Sequence, residues 1–199
     1  SGGTGTYTLV FPSTTTAAFI PINLSVGTTT ATSVQGNTVA GIALSGAASG
    51  TSSSAPFRGI YVGSGLTTVG DVTGNTIGSQ STTGSISYTS SSTSASDVIA
   101  MFNFGSSNWT VSNNTIGGIT AANSSTGASN VYGIRVFTGS SVTFVCRNNI
   151  IGGTVANSLQ STTTATGTTV QGILNNSPIG TTTGNLVRNL TAAGGTGTT

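Results

Sequence analysis

The chain contains no histidine, no lysine and no glutamate, and its only charged side chains are Arg58, Arg135, Arg147, Arg188, Asp71 and Asp97. That shortage excludes whole classes of chemistry. A Ser, Thr or Cys nucleophile needs a neighbouring base, and the usual suppliers are missing. Metal sites lose their common ligands in the same way, so no metal and no cofactor is expected. Glycoside hydrolysis asks for two carboxylates about 5–10 Å apart. The two aspartates fall at different points of the pattern described below, so no catalytic residues are expected and the chain reads as a non-enzyme.

The net charge of +2 rests on four arginines scattered singly. Neutralising a run of phosphates takes a cluster of cations, so no nucleic-acid partner is expected. No stretch approaches the ~20 consecutive apolar residues of a membrane helix, which argues against a membrane span. Ser1-Gly2-Gly3 does not open a signal peptide. With Cys146 as the single cysteine, no intramolecular disulfide can form, and stability must come from packing and hydrogen bonding.

What is abundant is Ser and Thr, 70 residues together, with 30 Gly. Such bias raises the question of disorder. Leu, Ile, Val and Phe nevertheless number 45 against a net charge of only +2, which is not the charged, apolar-poor signature of a disordered chain. One folded all-β domain over residues 1–199 is the expectation.

Self-similarity carries the fold. Asn37, Asn75, Asn114, Asn149 and Asn185 recur at spacings of 38, 39, 35 and 36 residues. Two residues after each stands a β-branched aliphatic: Val39, Ile77, Ile116, Ile151 and Val187. Immediately before each stand Gly36, Gly74, Asn113, Asn148 and Gly184, the types that enter positive φ at least cost, so this column predicts a left-handed turn residue. Three before each Asn come Val34, Val72, Val111, Cys146 and Thr182, which makes Cys146 a small core residue first and a reactive thiol second. Upstream lies a small-then-aliphatic pair: Pro21-Ile22, Gly59-Ile60, Ala100-Met101, Gly133-Ile134 and Gly172-Ile173.

The path from that pair to the Asn is nearly constant, whereas the path to the next coil varies and holds Ser/Thr/Ala/Gly tracts near 45–56, 79–96, 121–129 and 156–169. Variable, low-complexity stretches behave as surface loops, and these are expected to lie outside the core. A chain that returns to the same place every ~37 residues stacks like on like, as a solenoid does. Stacked Asn side chains would then bond to one another and to backbone, forming an Asn ladder. Coils are expected at about 19–44, 57–79, 98–120, 131–155 and 170–191.

These residues resemble the right-handed parallel β-helix (β-solenoid) repeats of bacterial surface proteins and pectate-lyase-like folds. The resemblance is carried by Gly133-Ile134-Arg135-Val136 through Thr138-Gly139-Ser140 to Asn148-Asn149-Ile150-Ile151-Gly152-Gly153. It implies about five coils with Ser/Thr/Gly-rich inserts, and it is specific for fold rather than function, because the same coil serves lyases, adhesins and tailspikes. Polysaccharide-cleaving members of that fold use several acidic residues on one face, and this chain has two carboxylates in all.

The arginines are expected to point outward singly, Arg58 pairing with Asp97 from the adjacent coil. Tyr61, Phe102, Tyr132 and Trp109 are candidates for stacking on sugar rings, with packing as the plainer role. Thr28-Thr29-Thr30, Thr67-Thr68 and Thr181-Thr182-Thr183 raise the alternative of an ice- or glycan-binding surface, but they are runs rather than Thr-x-Thr ladders and are expected in turns; a polysaccharide-active enzyme is the last alternative. Sequons at Asn23, Asn108, Asn113, Asn123, Asn175 and Asn189 are no more numerous than the composition predicts by chance. The function expected is a non-catalytic structural or adhesive module, extracellular or at the cell surface and part of a longer repeat protein. Glycans or other surface molecules, and end-to-end self-association into a filament, are the partners in view.

Overall fold

In a computed structural model, the chain forms a parallel β-solenoid of about five coils. The structure describes residues 6–12, 17–137 and 142–194 and the backbone of 196–198; the Thr138-Gly139-Ser140 step and Ser1-Gly2-Gly3 lie outside the described residues. Four parallel sheets run the length of the stack, and successive strands visit them in strict rotation.

Sheet A contains β1 (Tyr7–Phe11), β5 (Ile42–Gly46), β9 (Ile86–Ser90), β13 (Ile119–Asn123), β17 (Leu159–Ser161) and β21 (Leu190–Ala192). Sheet B contains β2 (Ile22–Ser25), β6 (Phe57–Ser64), β10 (Ser96–Asn103), β14 (Ser129–Val136), β18 (Thr169–Asn175) and β22 (Thr196–Thr198). Sheet C stacks β3 (Thr32–Val34), β7 (Thr67–Val69), β11 (Trp109–Ser112), β15 (Thr143–Arg147) and β19 (Ile179–Thr183). Sheet D stacks the short β4 (Thr38–Val39), β8 (Thr76–Gly78), β12 (Thr115–Gly117), β16 (Ile150–Ile151) and β20 (Leu186–Val187).

Register places like on like. The aliphatic after each Asn forms one core column, Val39–Ile77–Ile116–Ile151–Val187. The aliphatic of the upstream pair forms another, Ile22–Ile60–Met101–Ile134–Ile173. The small residue before it is required by packing: a Cβ on Gly59 would press on the Ala100 carbonyl oxygen, and one on Gly172 on the Val187 side chain. Stacked columns of β-branched and aromatic side chains make a continuous apolar core, the arrangement that suits a parallel sheet.

Three expectations need correcting. The Ser/Thr tracts are not simply loops outside the core. They contain strands of sheet A, and five of their serines are buried: Ser90 and Ser161 in that sheet, Ser158 just before β17, and Ser96 and Ser129 at the start of the sheet B strands β10 and β14. Several find backbone partners. Ser129 donates to the Ala122 carbonyl, and Ser158 Oγ accepts from the backbone N–H of Gly118 and Gly153. Buried hydroxyls with internal partners cost little, so polar composition misrepresents the burial of these segments.

Val72 also leaves its column. It is 80% exposed, and Val69 pairs with both Val34 and Val111. The turn of this coil is three residues longer than its neighbours', which moves the core valine from three to six residues before Asn75. The Thr runs divide too. Thr28–Thr30 is a bend, but Thr67-Thr68 lies in β7 and Thr181–Thr183 in β19.

Candidate functional site

The Asn column is a directional hydrogen-bond chain. Both the backbone N–H and the Nδ2 of Asn37 donate to Asn75 Oδ1, and the pattern repeats from Asn75 to Asn114, Asn114 to Asn149 and Asn149 to Asn185, all at 2.8–3.0 Å. Asn75, Asn114 and Asn149 are fully or almost fully buried. Each spare Nδ2 proton finds a carbonyl; that of Asn114 reaches Val69 and Ser112. The column is therefore a structural spine with no polar atom aimed at a ligand.

Four of the five turn residues adopt positive φ: Gly36, Asn113, Asn148 and Gly184, at 55–64°. Gly74 does not. It is glycine because a Cβ would overlap the Asn113 carbonyl oxygen of the next coil, a steric requirement that residue type alone does not distinguish from a conformational one. Cys146 is fully buried in its column, with its Sγ near Asn149 Nδ2 and Asn185 Oδ1. Burial pushes its thiol up to about 12, opposed by the Asn149 hydrogen bond. That leaves no thiolate for chemistry at neutral pH.

Polar and aromatic groups converge instead on the outer face of sheet B. Asp97, in β10, is 1% exposed and is not paired with Arg58 as expected. Its Oδ2 accepts from Arg135 at 2.6 Å and from the Ser52 N–H at 2.9 Å, while Oδ1 accepts from Asn130 Nδ2 at 2.9 Å. Asn130 in turn accepts from the Thr169 N–H. One carboxylate thus ties together segments from the loop before the second coil to the start of the fifth.

The guanidinium of Arg135 lies 4.6 Å from the Tyr132 ring centroid, 5.6 Å from Phe102 and 6.0 Å from Phe137, so it is stacked and ion-paired at once. Arg58 is also buried rather than outward. It stands 4.7 Å over the Tyr61 ring and donates to the Ser53 carbonyl, and burial lowers its pKa, with Tyr61 opposing. The sequence reading missed Asn130, Ser52, Phe104 and Phe137. For the last two a signal existed: an aromatic three residues after the column aliphatic in two successive coils, Met101 to Phe104 and Ile134 to Phe137.

Those two rings matter because they face solvent. Phe104 is 38% and Phe137 44% exposed; they stack at 5.5 Å, 5° from parallel. The fully buried Phe102 and then the partly buried Tyr61 continue the row, at 6.0 and 5.7 Å. Trp109 belongs elsewhere, fully buried in the core and stacked on Phe144 at 5.5 Å.

Asp71 sits on the exposed turn after β7, accepting from Ser33 Oγ, on a different sheet from Asp97. Among the described residues no group of three His, Cys, Asp or Glu side chains is assembled. Within Thr67-Thr68 only Thr68 faces outward, in the column Ser33–Thr68–Thr110–Val145–Thr181, so sheet C presents no repeated Thr-x-Thr pattern. Among the described residues no helix is long and apolar enough to cross a membrane. No family model, curated protein or solved structure matches the chain.

Proposed function

We propose that the chain is a non-catalytic structural and adhesive module of an extracellular or cell-surface protein, with the outer face of sheet B as its adhesive surface. The observation that carries this reading is the contrast on that face. The buried carboxylate, Asp97, is consumed by three hydrogen-bonding partners, while the Phe104–Phe137 pair is held open to solvent. A carboxylate sealed by an arginine supports rigidity, and a rigid aromatic step supports contact with the apolar face of a sugar ring or a similar surface.

The test is a glycan-binding screen of the intact chain beside Phe104→Ala/Phe137→Ala, together with incubation against a panel of polysaccharides. Binding that the double variant abolishes, with no cleavage products, is expected. Appreciable turnover of any polysaccharide would overturn the non-catalytic reading, and binding unchanged in the double variant would overturn the assignment of the surface.

A second reading, a subunit of an end-to-end filament, is favoured by the N-terminal end of the stack. There Tyr7 is 69% exposed although it occupies the core column of Ile42, and an open apolar hollow of about 330 Å³ lies among Tyr7, Phe19, Val39 and Ile42. Filaments seen by electron microscopy of the purified chain would put this reading first.

A further inference from the structure

Asn103 stands between two core valines in the column Leu24–Val62–Asn103–Val136–Asn175: its register partners Val62 and Val136 both belong to the main core cluster. It is 0% exposed, and neither its Nδ2 nor its Oδ1 has a hydrogen-bond partner among the described residues. Two more buried polar atoms are unpartnered at the same corner between sheets B and C. Trp109 Nε1 belongs to the first residue of β11, six residues on, and Thr67 Oγ1 to the residue paired with Trp109 in register.

In a dry core each such group costs about 1–3 kcal/mol, and four together at one corner are far above the background for a folded chain. Their chemistry is complementary. The indole and amide N–H groups donate, the amide oxygen accepts, and the hydroxyl does either. A buried water typically makes about three hydrogen bonds to groups of this kind.

We propose that this corner is an internal water site, with Asn103, Thr67 and Trp109 as its protein ligands. The bound water fixes the root of the turn that carries Phe104. The site is independent of what the aromatic step binds.

Water-selective NMR on the intact, ¹⁵N-labelled chain tests it. A cross-peak between the Trp109 indole N–H and long-lived water is expected, and its absence overturns the proposal. Thr67→Val must retain the peak; its loss there would mean relay through the hydroxyl proton and would overturn the water site. Asn103→Val, which matches the valines on either side of it, separates the two states of the corner by sign. With water present it removes two of the ligands, so the peak is lost and the melting temperature falls. If the corner is dry it removes two orphaned atoms, and a melting temperature that holds or rises refutes the inference.

Discussion

Replacing Asn114 by Ala removes the middle rung of the Asn spine, and the structure says what is left behind. The backbone N–H of Asn75 loses its acceptor, Asn75 Nδ2 loses one of its two, and the Val69 and Ser112 carbonyls each lose a donor. Asn149 Oδ1 loses the side-chain donor and would lose nothing further, because the residue 114 backbone N–H still reaches it. With buried unsatisfied groups at about 1–3 kcal/mol each and partial relaxation around an alanine-sized gap, the loss comes to about 3–5 kcal/mol. In a chain of this size each kcal/mol moves the midpoint by about 2–4 °C, giving a drop of roughly 6–20 °C.

Asn37→Ala is the matched control. Asn37 is half-buried, it donates only, to Asn75 and to the Gln35 carbonyl, and its loss should cost about 1 kcal/mol. Thermal and urea unfolding followed by Trp109 fluorescence compares the two directly, since Trp109 is fully buried and lies in the same coil as Asn114. Nearest-neighbour stacks can unzip from an end, so the probe must report that coil and not the whole chain. If Asn114→Ala costs no more than Asn37→Ala, burial does not set the worth of a rung, and the account of the spine given above is wrong.

Three further outcomes follow from other parts of the molecule. Asp97→Ala leaves Arg135 buried without its counter-charge and should cost about 3–5 kcal/mol in urea unfolding, most of it recovered in Asp97→Ala/Arg135→Met. Cys146 should resist thiol reagents in the native chain at pH 8 and react on denaturation; because its folded pKa is raised from 9.0 to about 12, its contribution to stability is intact below pH 9 and is lost as pH climbs towards 12, visible as a falling urea midpoint over that window. Gly36→Asn should fold with little loss, since Asn fills the same left-handed slot at 113 and 148, whereas Gly74→Asn should be severely destabilised by overlap with the Asn113 carbonyl; circular-dichroism melts of the two variants separate conformational from steric glycine.

The spine was legible in the sequence because a parallel stack imposes identity at fixed intervals: each Asn needs the next Asn, so the column cannot drift without orphaning a buried amide. The same logic explains what the sequence concealed. The Ser/Thr tracts carry no such obligation, since their buried serines bond to backbone groups, Ser129 to the Ala122 carbonyl and Ser158 to the Gly153 and Gly118 N–H, with no Ser required one coil away, and a Ser-rich segment buried in this way is indistinguishable by composition from a loop. Val72 was misplaced for a related reason. Spacing measured back from Asn75 assumes a turn of fixed length, and Gly70 and Gly74 permit a longer one in which the core slot passes to Val69. The partner of Asp97 was hidden by symmetry of another kind. Arg58 and Arg135 both lie buried on sheet B, in the coils on either side of Asp97, and only the loop at Ser52–Ser54, which takes the Arg58 guanidinium on the Ser53 carbonyl and gives its own N–H to Asp97, decides between them. Where the chain stacks like on like, its pattern reports the structure; where one loop adjudicates between two equivalent cations, only the three-dimensional arrangement does.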